Sequence, residues 1–93
     1  MVKQWDYYEY RIAEHYLPAM INDDLSGMDD AECKQYRAFD LQARETAIGC
    51  GFTVGHWSPV DDSGGDYGRC DISGLFAMRC TMRLMVYREN DAP

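Results

Sequence analysis

Positive charge is scarce in this chain. Of its 93 residues only two are lysine and seven arginine, against sixteen aspartates and glutamates, a net charge of -7. Phosphate backbones are gripped by clustered lysine and arginine, so direct binding of DNA or RNA is disfavoured. An acidic surface can instead meet a basic protein surface, including one that normally holds nucleic acid. No stretch approaches the roughly 18 apolar residues of a membrane span. The opening MVKQWDYYEY has neither an apolar h-region nor a small-residue cleavage site, so a soluble, cytoplasmic protein away from membranes is expected.

Signatures of familiar chemistry are also missing. Cys33, Cys50, Cys70 and Cys80 lie far apart, with no CxxC and no paired histidine spacing, so neither zinc nor another metal is expected. In a reducing cytosol they read as buried small hydrophobes. GGDYG lacks the GK[ST] sequel of a phosphate loop. VDDSGGDYGRC sets Asp61, Asp62 and Asp66 around glycines, yet lacks the alternating acids and closing glutamate of an EF-hand, and reads as a solvated turn. His15 and His56 are the only histidines, and no thiol lies in an electropositive setting that would make it a nucleophile. No cofactor and no enzymatic activity is expected.

What is present is apolar surface. Hydrophobic residues make up 46% of the chain and only three residues are proline, which argues for a compact fold over disorder. A chain of this size builds one core and buries about 60 to 65% of its unfolded surface. One domain over 1–93 is expected, with a loose tail at 89–93.

Trp5, Tyr8, Ile12, Ala13, Tyr16, Leu17, Met20 and Ile21 recur every three or four positions and predict a helix over 4–21. Pro18 interrupts it, favouring an end near Tyr16 and a restart with Pro18 in the first turn. NDDLSGMDD then reads as a turn. Asp29, with Glu32 three residues on, predicts a capped helix over about 30–47 whose inner face is Tyr36, Phe39 and Ala43. From Phe52 the period becomes two. Strands are expected at 52–58, 67–72 and 79–88, with Cys80, Met82, Leu84 and Val86 on the core face of the last. A hairpin centred near Leu75 would set Cys70 opposite Cys80, reduced in the cytosol, and Asp71 opposite Arg79. The expected class is α+β in the order ααβββ: two N-terminal helices packed on one face of a three-stranded antiparallel meander.

LPAMINDDLSGMDDAE at 17–32, HWSPVDDSGGDYGRCDISGL at 56–75 and the closing strand resemble a small family of unknown function from bacterial mobile elements. Such proteins are similar in size, charge and lack of catalytic motifs to anti-CRISPR and other counter-defence inhibitors. The resemblance implies a non-enzymatic inhibitor that binds a host protein, with type I CRISPR machinery the favoured target, and covers a nucleic-acid channel or subunit interface. Its contact surface is expected at Asp23, Asp24, Asp29 and Asp30 in the helix connection, Asp61, Asp62 and Asp66 in the sheet turn, and the aromatic anchors Tyr7 and Tyr10. Two other classes stay open. One is a structural or regulatory homodimer with no defence role; the other is a small Cys/His or metal-dependent protein.

Overall fold

The sheet is organised around its last and longest strand, Phe76–Asn90 (β4). Met82, Leu84 and Val86 alternate onto one face and are fully buried, each contributing roughly 1.5–3 kcal/mol by leaving water. The computed structural model describes residues 2–61 and 65–90. One edge of β4 carries Val2–Ala13 (β1), antiparallel, from Val2 opposite Asn90 to Ala13 opposite Arg79. The other edge carries Thr53–Pro59 (β2) and then Asp66–Arg69 (β3), laid end to end. Between β1 and β2 come a 3-10 turn at Glu14–Tyr16, the short helix Leu17–Asn22 (α1) and the long helix Asp30–Gly49 (α2).

The expected ααβββ order is overturned, because a strand precedes the helices and four strands build the sheet. Nor is it a meander, since β2 and β3 both pair with β4. WDYYEYRI supports two periods at once. Spacings of three and four link Trp5, Tyr8 and Ile12, while a period of two separates Tyr8, Tyr10 and Ile12 from Trp5, Tyr7 and Glu9. Aromatic and β-branched side chains pack well on a pleated surface and lose rotamer freedom in a helix. β4 then decides the matter by supplying partners: Leu84 for Tyr8, Met82 for Tyr10 and Cys80 for Ile12 on the core face. The helical signal becomes real only at Pro18, which sits in the first turn of α1. Glu89 and Asn90, read as tail, are the end of β4, whereas residues 91–93 lie outside the described residues.

α2 follows the sequence closely. The Asp29 carboxylate accepts from the Glu32 amide at 2.8 Å, and Glu32 accepts from the Asp29 amide at 3.3 Å, a complete capping box. Tyr36, Ala43 and Ala47 are buried against the sheet, with Phe39 partly so. Gly51, at φ 89°, turns the chain out of the helix into β2. Helix and sheet are fastened where the Trp57 indole donates to Asp40 at 2.7 Å, an acid that Arg44 also holds at 3.0 Å.

The β3–β4 hairpin adopts a different register from the expected one. Its turn closes earlier, with the Cys70 amide donating to the Leu75 carbonyl at 2.8 Å and the Gly74 amide to the Cys70 carbonyl at 2.9 Å. Cys70 therefore faces Leu75 instead of Cys80, and Arg79 faces Asp66 instead of Asp71. Gly74, at φ 75°, makes this tight turn available. Asp71 is freed to cap the edge of β1: its amide donates to the Arg11 carbonyl at 2.8 Å, and its carboxylate accepts from the Arg11 amide at 2.7 Å. All four cysteines are thiols. Cys70 is buried and accepts from the Ala13 amide at 3.3 Å, while the Cys80 thiol reaches the Ile12 carbonyl at 3.5 Å.

Candidate functional site

The sheet has a helix-covered side and an open side, and strand alternation assigns each residue to one of them. The open side is closed over by its own cross-strand contacts. Trp5 packs on Tyr87 at 4.9 Å and edge-on to His56 at 6.0 Å. Arg83 lies over the Tyr7 ring at 4.0 Å and pairs with Glu9 at 3.1 Å. Asp66 receives a fork from Arg79, at 3.2 and 2.7 Å, and a third contact from Arg11 at 3.3 Å. The Arg79 hydrogen bonds hold the Asp66 carboxyl below the usual carboxylate range. Arg79 lies flat over Gly68, where a Cβ would stand 2.5 Å from its guanidinium carbon.

The helix-covered side is acidic. Residues 14–49 carry Glu14, Asp23, Asp24, Asp29, Asp30, Glu32, Asp40 and Glu45 against Lys34, Arg37 and Arg44, which leaves five of the seven net negative charges in this segment. Asp23 ends α1 in the left-handed region at φ 54°. Asp24 takes the Ser26 hydroxyl at 2.6 Å and amide at 3.0 Å, contacts that lower its pKa. Asp29 caps α2 and Asp30 stands in its exposed first turn.

The expected surface thus divides. Asp23, Asp24, Asp29 and Asp30 share the helix connection. Asp66 and Tyr7 stand on the opposite side of the sheet with arginine partners. Tyr10 is half-buried on the core side, against Phe39 at 5.0 Å and Trp57 at 5.8 Å, where burial followed by the charge of Asp71 raises its phenol. Asp61 is exposed beyond β2. Asp62 lies outside the described residues.

A feature that composition did not suggest is apolar. Tyr67, Leu75, Phe76 and Met78 are 70, 69, 62 and 51% exposed, and all belong to the β3–β4 hairpin. Tyr67 and Phe76 stack at 5.9 Å. Leu75 and Phe76 line a groove of about 360 Å³ together with Ala13, His15, Tyr16, Asp29, Glu32, Gln35, Ser73 and Ala77. His15 spans part of its wall to Glu32 at 2.6 Å. The hairpin run LFAM was the available signal, since Phe76 and Met78 continue the core-face alternation of Cys80 and Met82 yet stand exposed at the start of the strand.

His56 packs on Trp5 on the open side, whereas Cys70 is buried on the other, so the Cys and His pairing considered from sequence is not formed. Among the described residues no three His, Cys, Asp or Glu side chains gather where a metal could bind, and no helix is long and apolar enough to cross a membrane. The outer edge of β1 is partly capped from within the chain. Its outward amides at Tyr7, Arg11 and Ala13 are taken by Asp6 at 2.8 Å, by Asp71 and by Cys70. No family model, curated protein or solved structure matches the chain.

Proposed function

We propose that this chain is a non-enzymatic inhibitor, acting in the bacterial cytoplasm by holding an acidic surface against a basic surface of a host defence protein. Charge separation across the sheet carries this reading. Acids dominate the helix-covered side, while the arginines of the open side are occupied by Asp66, Glu9 and Tyr7. Complementary charge of this kind speeds encounter and fixes orientation. The resemblance to counter-defence proteins supplies the target class, a type I CRISPR effector subunit whose nucleic-acid channel or subunit interface the acids would cover. Asp66 and Tyr7 leave the proposed contact, which narrows to Asp23, Asp24, Asp29 and Asp30 with their helical neighbours.

The test is affinity capture against a bacterial lysate carrying such an effector, followed by titration of the purified subunit with the triple variant Asp23→Asn, Asp30→Asn, Glu45→Gln. Among the described residues these three side chains cap no helix end and form no ion pair, and asparagine tolerates the left-handed backbone at 23. Lower affinity, a shallower salt dependence and an unchanged melting temperature are expected. Unchanged affinity, or a captured partner without a basic surface, would overturn the reading.

A further inference from the structure

The β3–β4 hairpin presents its apolar side chains on the helix-covered side of the sheet, next to the acidic helix connection. Stacking pre-orders the Tyr67 and Phe76 rings, so docking there costs little side-chain entropy. Among the described residues three acids border this strip. Asp29 and Glu32 line the groove beside Phe76. Glu14 stands with Met78 beside Gly65, each 3.6 Å from the point where a Cβ on that glycine would lie. Two cations adjoin the strip: Arg69 lies over Phe76 at 5.3 Å and donates to the Gly74 carbonyl at 3.1 Å, and His15 pairs with Glu32, which leaves Glu14 and Asp29 as the rim acids without a cationic partner among the described residues. An apolar floor with an acidic rim repels phosphates and anionic segments and fits a cationic segment with an apolar centre.

We propose that this strip and groove dock a basic stretch of a partner protein, which lowers an aliphatic side chain beside Tyr16 and Phe76 while its flanking arginines or lysines meet Glu14, Asp29 and Glu32. The assignment rests on the binding-protein reading above and supplies its contact. The exposed hairpin rings act as apolar anchors, and the acids set orientation and exclude anionic competitors.

The probe is a short synthetic peptide with a central leucine flanked on both sides by arginines, titrated into the isotope-labelled chain while backbone amide shifts are followed. Saturable shifts at Tyr16, Gln35, Phe76 and Ala77 are expected. Replacing the central leucine by serine should weaken binding roughly tenfold, the equivalent of partly burying one such side chain, and replacing the arginines by glutamates should abolish it. In the protein, Phe76→Ser should remove the shifts with its melting curve unchanged, and Leu75→Ser serves if the first variant unfolds. Shifts centred elsewhere, or equal binding of the leucine and serine peptides, would overturn the proposal. So would a concentration-dependent dimer of the chain covering the same amides. With the purified effector subunit, wild-type affinity in Phe76→Ser beside weakened affinity in the triple acid variant would remove this strip and leave the acidic-surface reading standing. Unchanged affinity in both would remove both.

Discussion

Trp5 reaches across β4 and lies over Gly55, where a Cβ would stand 2.8 Å from the indole ring and 2.9 Å from the Met85 carbonyl oxygen. Trp5 could turn aside, but the backbone of the central strand could not do so without disturbing its pairing. Gly55→Ala is therefore expected to cost about 1–3 kcal/mol, the range for overpacking. In a domain of this size each kcal/mol lowers the melting temperature by roughly 4–8 °C. Thermal denaturation measures the cost, and an unchanged melting temperature would show that Gly55 is not needed under Trp5.

Asp40 joins α2 to β2 by accepting from Trp57, and it pairs with Arg44 one turn along its own helix. Asp40→Ala leaves the indole N–H of a buried tryptophan without its acceptor, a loss of about 1–3 kcal/mol. Asp40→Asn keeps an acceptor oxygen and gives up only the half-exposed pair with Arg44, so about 0–1 kcal/mol is expected. Urea denaturation of both variants separates the two contributions. Equal destabilisation would show that Asp40 acts mainly through its pair with Arg44 inside α2 and that the indole contact to β2 adds little.

Legibility followed the range of the interactions. The α2 start was readable because Asp29 and Glu32 satisfy each other within one turn, and the core face of β4 because its alternation is long and uninterrupted. Residues 2–13 carry a helical spacing that misleads, because their choice between helix and strand depends on β4, some 70 positions later. The hairpin register failed for a related reason. Spacing alone centres the turn on Leu75, whereas Asp71 is drawn back to cap Arg11 and the turn closes between Cys70 and Leu75. The acids of the surface were visible in composition, but only the fold divides Asp66, with two arginines, from Asp23, Asp24, Asp29 and Asp30 on the other side.

The fork between Asp66 and Arg79 predicts a response to acid. The Asp66 pKa is lowered in the fold, first by the Arg79 hydrogen bonds and then by the charges of Arg79 and Arg11. A depressed carboxylate contributes stability that is present above its unfolded value, near 3.8, and lost as pH falls through the folded one. Asp66→Asn should therefore be less stable than wild type at neutral pH, with the difference closing as pH drops below the ordinary carboxylate value. Chemical denaturation of the two proteins across this range is the measurement. A difference that stays constant into strong acid would place the effect of Asp66 in packing instead of charge.

Tyr16 predicts the alkaline limit. Only 1% of it is exposed, and burial first, then the neighbouring Cys70 and acids, pushes its phenol up to about 12, with a hydrogen bond to Ser73 partly opposing. Its raised pKa means that the neutral phenol is the folded form. The corresponding stability is complete below the unfolded value of 10.0 and is lost as pH rises from there through about 12. Tyr16→Phe keeps the ring and cannot ionise. The wild-type protein should thus lose stability more steeply than this variant across that window, while the two differ by no more than about 1 kcal/mol at neutral pH. Tyr10 and Tyr36, whose phenols burial also raises, contribute alike to both proteins and cancel in the comparison. Unfolding followed against alkaline pH in both proteins decides it, and parallel curves would mean that Tyr16 reaches water before the core opens.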